Sequence, residues 1–202
     1  DPGVHQGRVL IEGGDGLPVD DSIEFTVDVG PPARVLVASP DPVGTTGLIF
    51  VEAVAPFPLV SAGRSKFTVT LESFDRLEKA SWSDYLSIVL IDPPPLPAST
   101  WKMLHEWVSN GGGLVIWLGP SAGKPSEFSS PESESVLGGQ IERVWRSPDR
   151  SNYFAPASLD HPVLSAFRRV GDSVPWQDFP VFRHWEFQPT LENGEALSTP
   201  CL

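Results

Sequence analysis

Leu86-Ser87-Ile88-Val89-Leu90-Ile91-Asp92-Pro93-Pro94-Pro95, then Ser99–Asn110, then Gly111-Gly112-Gly113-Leu114-Val115-Ile116-Trp117-Leu118, is the stretch that decides the fold. Its first six residues form a nearly continuous apolar run of the kind found in a strand covered on both faces. Asp92 and the prolines end that run. Ser99 or Thr100 is placed to cap a helix through Asn110, with Leu104, Trp107 and Val108 spaced for a buried stripe. Three glycines stop the helix, and Leu114–Leu118 reads as the next strand. Strand, crossover helix and strand predict a right-handed βαβ unit over Tyr85–Gly119.

The pattern repeats upstream. Arg34–Ala38 is a short apolar strand, and Thr45–Ala55 reads as a helix with Leu48, Val51, Val54 and Ala55 on one side, stopped by Pro56. Phe67–Leu71 is a further strand, and Phe74–Ser81 a polar connection or short helix. Repetition of strand and helix predicts an α/β domain with a mostly parallel sheet. Pro31-Pro32 marks the expected boundary between a β-ribbon (1–31) and that domain (32–202). Within the ribbon, Gly7–Glu12 and Ser22–Val29 read as strands flanking a turn at Gly13–Pro18. Ile23, Phe25, Val27 and Val29 alternate with Glu24, Thr26 and Asp28, which predicts one buried and one wet face. A two-stranded ribbon is not stable alone, so it is expected to belong to a preceding β domain or to pack on the α/β domain after it. Downstream, Pro120–Gly139 reads as a long mobile loop from its Ser, Pro, Glu and Gly content. Ile141–Arg146 and the aromatic Val181–Phe187 read as strands, with a helical turn at Pro162–Phe167.

Composition bounds the function. The 202 residues carry a net charge of -12, which argues against neutralising nucleic-acid phosphates or adsorbing to an anionic membrane surface. Seven of the acids fall in residues 1–30 against one base, Arg8. The 22 prolines, about twice the usual 5% or so, cluster at loop entries, while 40% hydrophobic content excludes a disordered chain. The single cysteine, Cys201, cannot form an internal disulfide. No run approaches the roughly 20 apolar residues of a membrane helix. The abrupt start and finish suggest a piece of a longer protein.

Several short motifs, in order, carry a resemblance. They are Asp15-Gly16-Leu17-Pro18-Val19-Asp20-Asp21 leading to Phe25-Thr26-Val27; Pro32-Ala33-Arg34-Val35-Leu36-Val37; Asp84-Tyr85; Pro93–Pro97; Val108–Gly113 with Leu114-Val115-Ile116; and Asp160-His161-Pro162-Val163-Leu164. The chain resembles the C-terminal region of the large membrane-anchored bacterial proteins of the aerotolerance-operon (Bat-like) type, common in planctomycetes. There a von Willebrand A-like domain is followed by a β-rich segment and a class I glutamine amidotransferase-like domain. The resemblance implies a flavodoxin-like three-layer sandwich that ends before the family's last strand. It also implies membrane helices elsewhere in the parent protein, a periplasmic location, and other domains of the parent or its complex as partners. It brings no cofactor and no established reaction.

An amidotransferase of that class places a cysteine on a sharp turn after a strand. Here the corresponding turn is Gly119-Pro120-Ser121-Ala122-Gly123, a Gly-x-Ser-x-Gly shape with Ser121 at the nucleophile position. A serine hydrolase would use His184 or His161 as base, oriented by Glu186 or Asp160. Against it, Pro120 removes an N–H beside the nucleophile, Pro125–Pro131 offers no helix directly after it, and His184 lies among Phe182, Trp185 and Phe187. The expectation is therefore a non-catalytic module. His5, His105, His161 and His184 have no paired spacing for a metal, with His105 read as solvated. The Asp15/Asp20/Asp21 turn lacks a calcium loop's alternating ligands. Ser39, Asp92 and Gly119 fall at strand C-termini, where doubly wound folds take ligands, but no phosphate-cradling glycine motif accompanies them. Of the C-terminal aromatic residues, most are expected in the core, with Trp176 the candidate for an exposed contact.

Overall fold

The computed structural model describes residues 2–13, 20–147, 152–154, 156, 159, 160, 162, 164–170, 173–192, 195 and 196. The chain divides into two compact units, 1–89 and 90–202. One four-stranded parallel sheet is flanked by helices. Its strands are β3 (Ala33–Ala38), β4 (Phe67–Glu72), β5 (Ser87–Ile91) and β6 (Gly113–Trp117), in the order β4-β3-β5-β6. Counted by appearance this is 2-1-3-4, the opening of the flavodoxin-like strand order. The apolar runs fall where continuous hydrophobicity places them: Val35–Ala38 and Ile88–Ile91 are buried.

In the first unit, β1 (Gly3–Leu10) and β2 (Ser22–Val29) form an antiparallel ribbon with Val9 opposite Ile23 and Gly7 opposite Phe25. The alternation is real, but the expected burial is not. Ile23, Phe25, Val27 and Val29 are 67%, 47%, 43% and 40% exposed. Periodicity fixes which side chains share a face and leaves open whether anything covers it. Helix α1 (Thr45–Val54) buries Gly47 and Phe50, while Leu48 faces solvent. Of the expected stripe, Ala55 is buried and Val51 and Val54 are half-buried, and only Leu48 fails, its place being taken by Gly47, which lies against Leu71 of β4. Two short helices, α2 (Phe57–Ser61) and α3 (Phe74–Leu77), precede and follow β4. After α3, Trp82 is buried and its indole N–H donates to the Leu77 carbonyl at 2.7 Å.

In the second unit, α4 (Ala98–Ser109) begins earlier than Ser99 or Thr100 would dictate. Pro97 supplies the first helical carbonyl, accepting from Thr100 N at 3.0 Å, and Thr100 itself turns inward. The buried stripe is Thr100, Trp101 and Leu104, with Trp107 half-buried and Val108 exposed. The helix ends as its glycines demand. Gly111 adopts φ 94°, Gly111 N bonds the Val108 carbonyl at 2.9 Å and Gly112 N bonds the Trp107 carbonyl at 3.1 Å. That pair of bonds is a Schellman closure, which needs the left-handed conformation at Gly111.

The segment Pro120–Gly139 is not a loop. It holds a 3₁₀ turn, Pro125–Phe128, and helix α5 (Pro131–Leu137). Phe128 is fully buried between Trp101 and Trp185, edge-on to each with centroids 6.1 Å apart. The Ser130 hydroxyl caps α5 by accepting from Ser133 N at 3.1 Å, Pro131 stands at the first turn, and Glu132 and Glu134 complement its dipole. These are ordinary helix-start signals hidden in a loop-like composition. Strand β7 (Gly139–Arg146) then pairs antiparallel with β8 (Arg183–Pro189), with a bulge between Ile141 and Arg143. A short antiparallel pair, Leu191–Glu192 with Glu195–Ala196, comes next. The helical turn sits at Ser165–Arg169, slightly beyond the expected one. Trp176 is not the exposed exception. It is half-buried, stacking on Phe154 at 6.2 Å and meeting Phe167 edge-on at 5.2 Å. The expected core placement fails for Trp145, Tyr153, Phe154, Phe179 and Phe182, which are exposed.

Candidate functional site at the Gly119–Gly123 turn

Asp92 directly follows strand β5 and β6 delivers the chain to Gly119, so one turn receives groups from both strand ends. Asp92 is held there by its own N–H, which donates to the Trp117 carbonyl at 2.7 Å. Its φ of 49° lies in the left-handed region, which Asp tolerates better than most side chains. That backbone aims the carboxylate at the turn, where both oxygens accept from Ser121 N, at 2.9 and 3.0 Å. Gly119 makes the approach possible, since a Cβ there would sit 2.6 Å from the Asp92 carboxyl carbon. Two of the three ligand-site candidates, Asp92 and Gly119, are therefore in contact. The third, Ser39, is buried in the first unit and spends its hydroxyl on its own turn, donating to the Asp41 carbonyl at 3.2 Å.

Ser121 is exposed and Ala122 behind it is buried. Among the described residues, no histidine bonds the Ser121 hydroxyl. His184 is exposed on β8 opposite Trp145, and Glu186 is engaged elsewhere. The Glu186 carboxylate is bonded by the Arg143 guanidinium and accepts from the Trp145 indole N–H at 3.0 Å. The Arg143 hydrogen bond holds the Glu186 carboxyl below its usual range, and the same contact raises the Arg143 guanidinium. Arg143 also lies 4.2 Å over the Trp145 ring. Of the alternative pair, Asp160 bonds Arg168 at 3.3 Å, and His161 lies outside the described residues. His105, read as solvated, is exposed but shares a 2.8 Å hydrogen bond with Ser135 of α5.

In the acidic turn, Asp15 lies outside the described residues, while the Asp21 carbonyl accepts from Ile11 N at 2.8 Å as part of the ribbon. Among the described residues, no three His, Cys, Asp or Glu side chains converge as a metal site would require. No helix among them is long and apolar enough to cross a membrane.

One residue had no part in the sequence reading. Arg183, the first residue of β8, donates to the Pro120 carbonyl at 3.5 Å and so joins the turn from the far end of the chain. A separation of 63 residues leaves no local pattern that could have announced it.

Comparison with family models, curated proteins and solved structures finds no match for this chain.

Proposed function

We propose that the chain is a non-catalytic, amidotransferase-like module of a larger membrane-anchored bacterial envelope protein, serving protein–protein assembly on the periplasmic side. One observation carries the non-catalytic reading: the Asp92 carboxylate occupies the Ser121 amide. In a Gly-x-Ser-x-Gly elbow the oxyanion that develops in the transition state is bound by the amide of the residue after the nucleophile, here Ala122, whose N–H instead donates to the Gly119 carbonyl at 3.4 Å. The Asp92 carboxylate, of the same sign as that oxyanion, is held on the adjoining Ser121 amide. Two like charges about 4 Å apart near a protein surface repel by roughly 4 kcal/mol. That is about a thousandfold in rate. Engagement of Glu186 by Arg143 and Trp145 further supports the reading, since among the described residues it leaves no acid hydrogen-bonded to His184.

The assembly role is supported by the ribbon, whose Ile23, Phe25, Val27 and Val29 share one exposed face. Contiguous exposed apolar side chains are a common mark of interaction surfaces. Glutaminase and p-nitrophenyl ester hydrolysis, measured in wild type and in Ser121→Ala, test the catalytic half. Equal background rates are expected. A rate that disappears with Ser121 would overturn the proposal.

A further inference from the structure

The β7–β8 ribbon has two chemically different faces. By register, Arg143, Trp145, His184 and Glu186 share one face, while Val144, Arg146, Arg183 and Trp185 share the other. On the first face Arg143 has its acid, Glu186. On the second, Arg146 and Arg183 stand directly opposite each other. Residues so paired have Cβ atoms only about 4.5–5.5 Å apart, and like charges there are destabilising. Among the described residues neither arginine has a carboxylate within ion-pair distance. In a chain with 26 acids against 14 bases, that is not for want of acids.

Arg183 is nonetheless held in place. Its guanidinium donates to the Pro120 carbonyl at 3.5 Å and lies 5.4 Å over the Trp185 ring. Its Nε–H is buried with no acceptor, a second unfavourable feature at the same spot. Arg146 is exposed. Two arginines paired across the strands, one with its guanidinium held and one exposed, offer the planar forks that match phosphate and carboxylate oxygens. Ser121, exposed and one residue beyond the carbonyl that Arg183 holds, adds a neutral hydroxyl to the same turn. A bound oxyanion would remove the repulsion that folding alone leaves in place.

We propose that Arg146 and Arg183, beside the Pro120-Ser121 turn, form a binding site for an oxyanion, the phosphate or carboxylate group of a small molecule. The site does not depend on the assembly reading, since a scaffold and an enzyme could each carry it. The Asp92 carboxylate on the same turn keeps affinity for an isolated ion modest, with a Kd on the order of 1 mM.

Calorimetric titration with inorganic phosphate, and separately with succinate, at fixed ionic strength tests the site. Wild type, Arg146→Gln, Arg146→Lys, Arg183→Gln and, as a control on the opposite face, Arg143→Gln are compared. Wild type is expected to bind one ion, the tighter of the two identifying the preferred group. Arg146→Gln should weaken binding about tenfold, the loss of one charge-assisted bond. Arg146→Lys should fall between, and Arg143→Gln should match wild type. A second readout separates a ligand site from a structural pair. Without ligand, Arg146→Gln should melt above wild type, because a like-charge contact is gone, yet lose the rise in Tm that phosphate gives wild type. Should Arg183→Gln fail to fold, the exposed Arg146 variants carry the test alone. No saturable binding of either ion to wild type, or an equal loss in Arg143→Gln, would overturn the proposal.

Discussion

Asp92 combines an unfavourable backbone angle with a favourable contact, and the balance is measurable. A non-glycine residue at φ 49° stores about 1–3 kcal/mol, and a freed amide such as that of Ser121 costs about 1–3 kcal/mol where it is shielded from water. Asp92→Ala keeps the strain and loses the acceptor, so a loss of about 2 kcal/mol is expected in denaturant unfolding. Asp92→Asn retains an acceptor and tolerates the angle, so it should lose less, and Asp92→Gly should fall between. Equal losses in the Ala and Asn variants would show that the carboxylate contact contributes nothing. Glu186 gives a pH signature. Its carboxyl is held below the usual range by Arg143, so its contribution is present above that range and fades as pH falls through the depressed value. Between pH 7 and 3 the Tm of wild type should therefore fall more steeply than that of Glu186→Gln. None of this was legible from local sequence. Ser121 stood out as the centre of a Gly-x-Ser-x-Gly shape, but its partner lies 29 residues away and meets it only through the sheet.

Among the elements, strands were the most legible, because Val35–Ala38 and Ile88–Ile91 are buried on both faces and their apolar runs need no periodicity to be seen. Gly111-Gly112 likewise announced the end of α4, and Gly111→Ala should cost about 1–2 kcal/mol by forcing an L side chain into the left-handed region. Helix faces were less legible. In α1 the inward position is Gly47, which carries no hydrophobic signal at all, and Leu48 beside it misled. In α5 the serines and glutamates that resemble a linker are its capping box and first turn. Phe128 anchors that segment, so Phe128→Ala should destabilise the chain by about 3–5 kcal/mol, a core-sized loss. A loss below about 1 kcal/mol would return Pro120–Gly139 to the loop its composition suggests.

Taken whole, the molecule keeps an α/β scaffold in flavodoxin-like order and fills the turn at the end of β6 with a carboxylate. The net charge of -12 predicts no retention of the chain on immobilised DNA at physiological salt. The ribbon's apolar face was legible as a face and not as an exposed one, because burial depends on what lies opposite and a single strand pattern contains no record of that. The central claim is that Ser121 occupies the place of a nucleophile without acting as one. Intact-mass analysis after incubation with a fluorophosphonate probe measures this at the residue itself. The mass is expected to stay unmodified, in wild type as in Ser121→Ala. Stoichiometric labelling of wild type that is absent from Ser121→Ala would contradict the account.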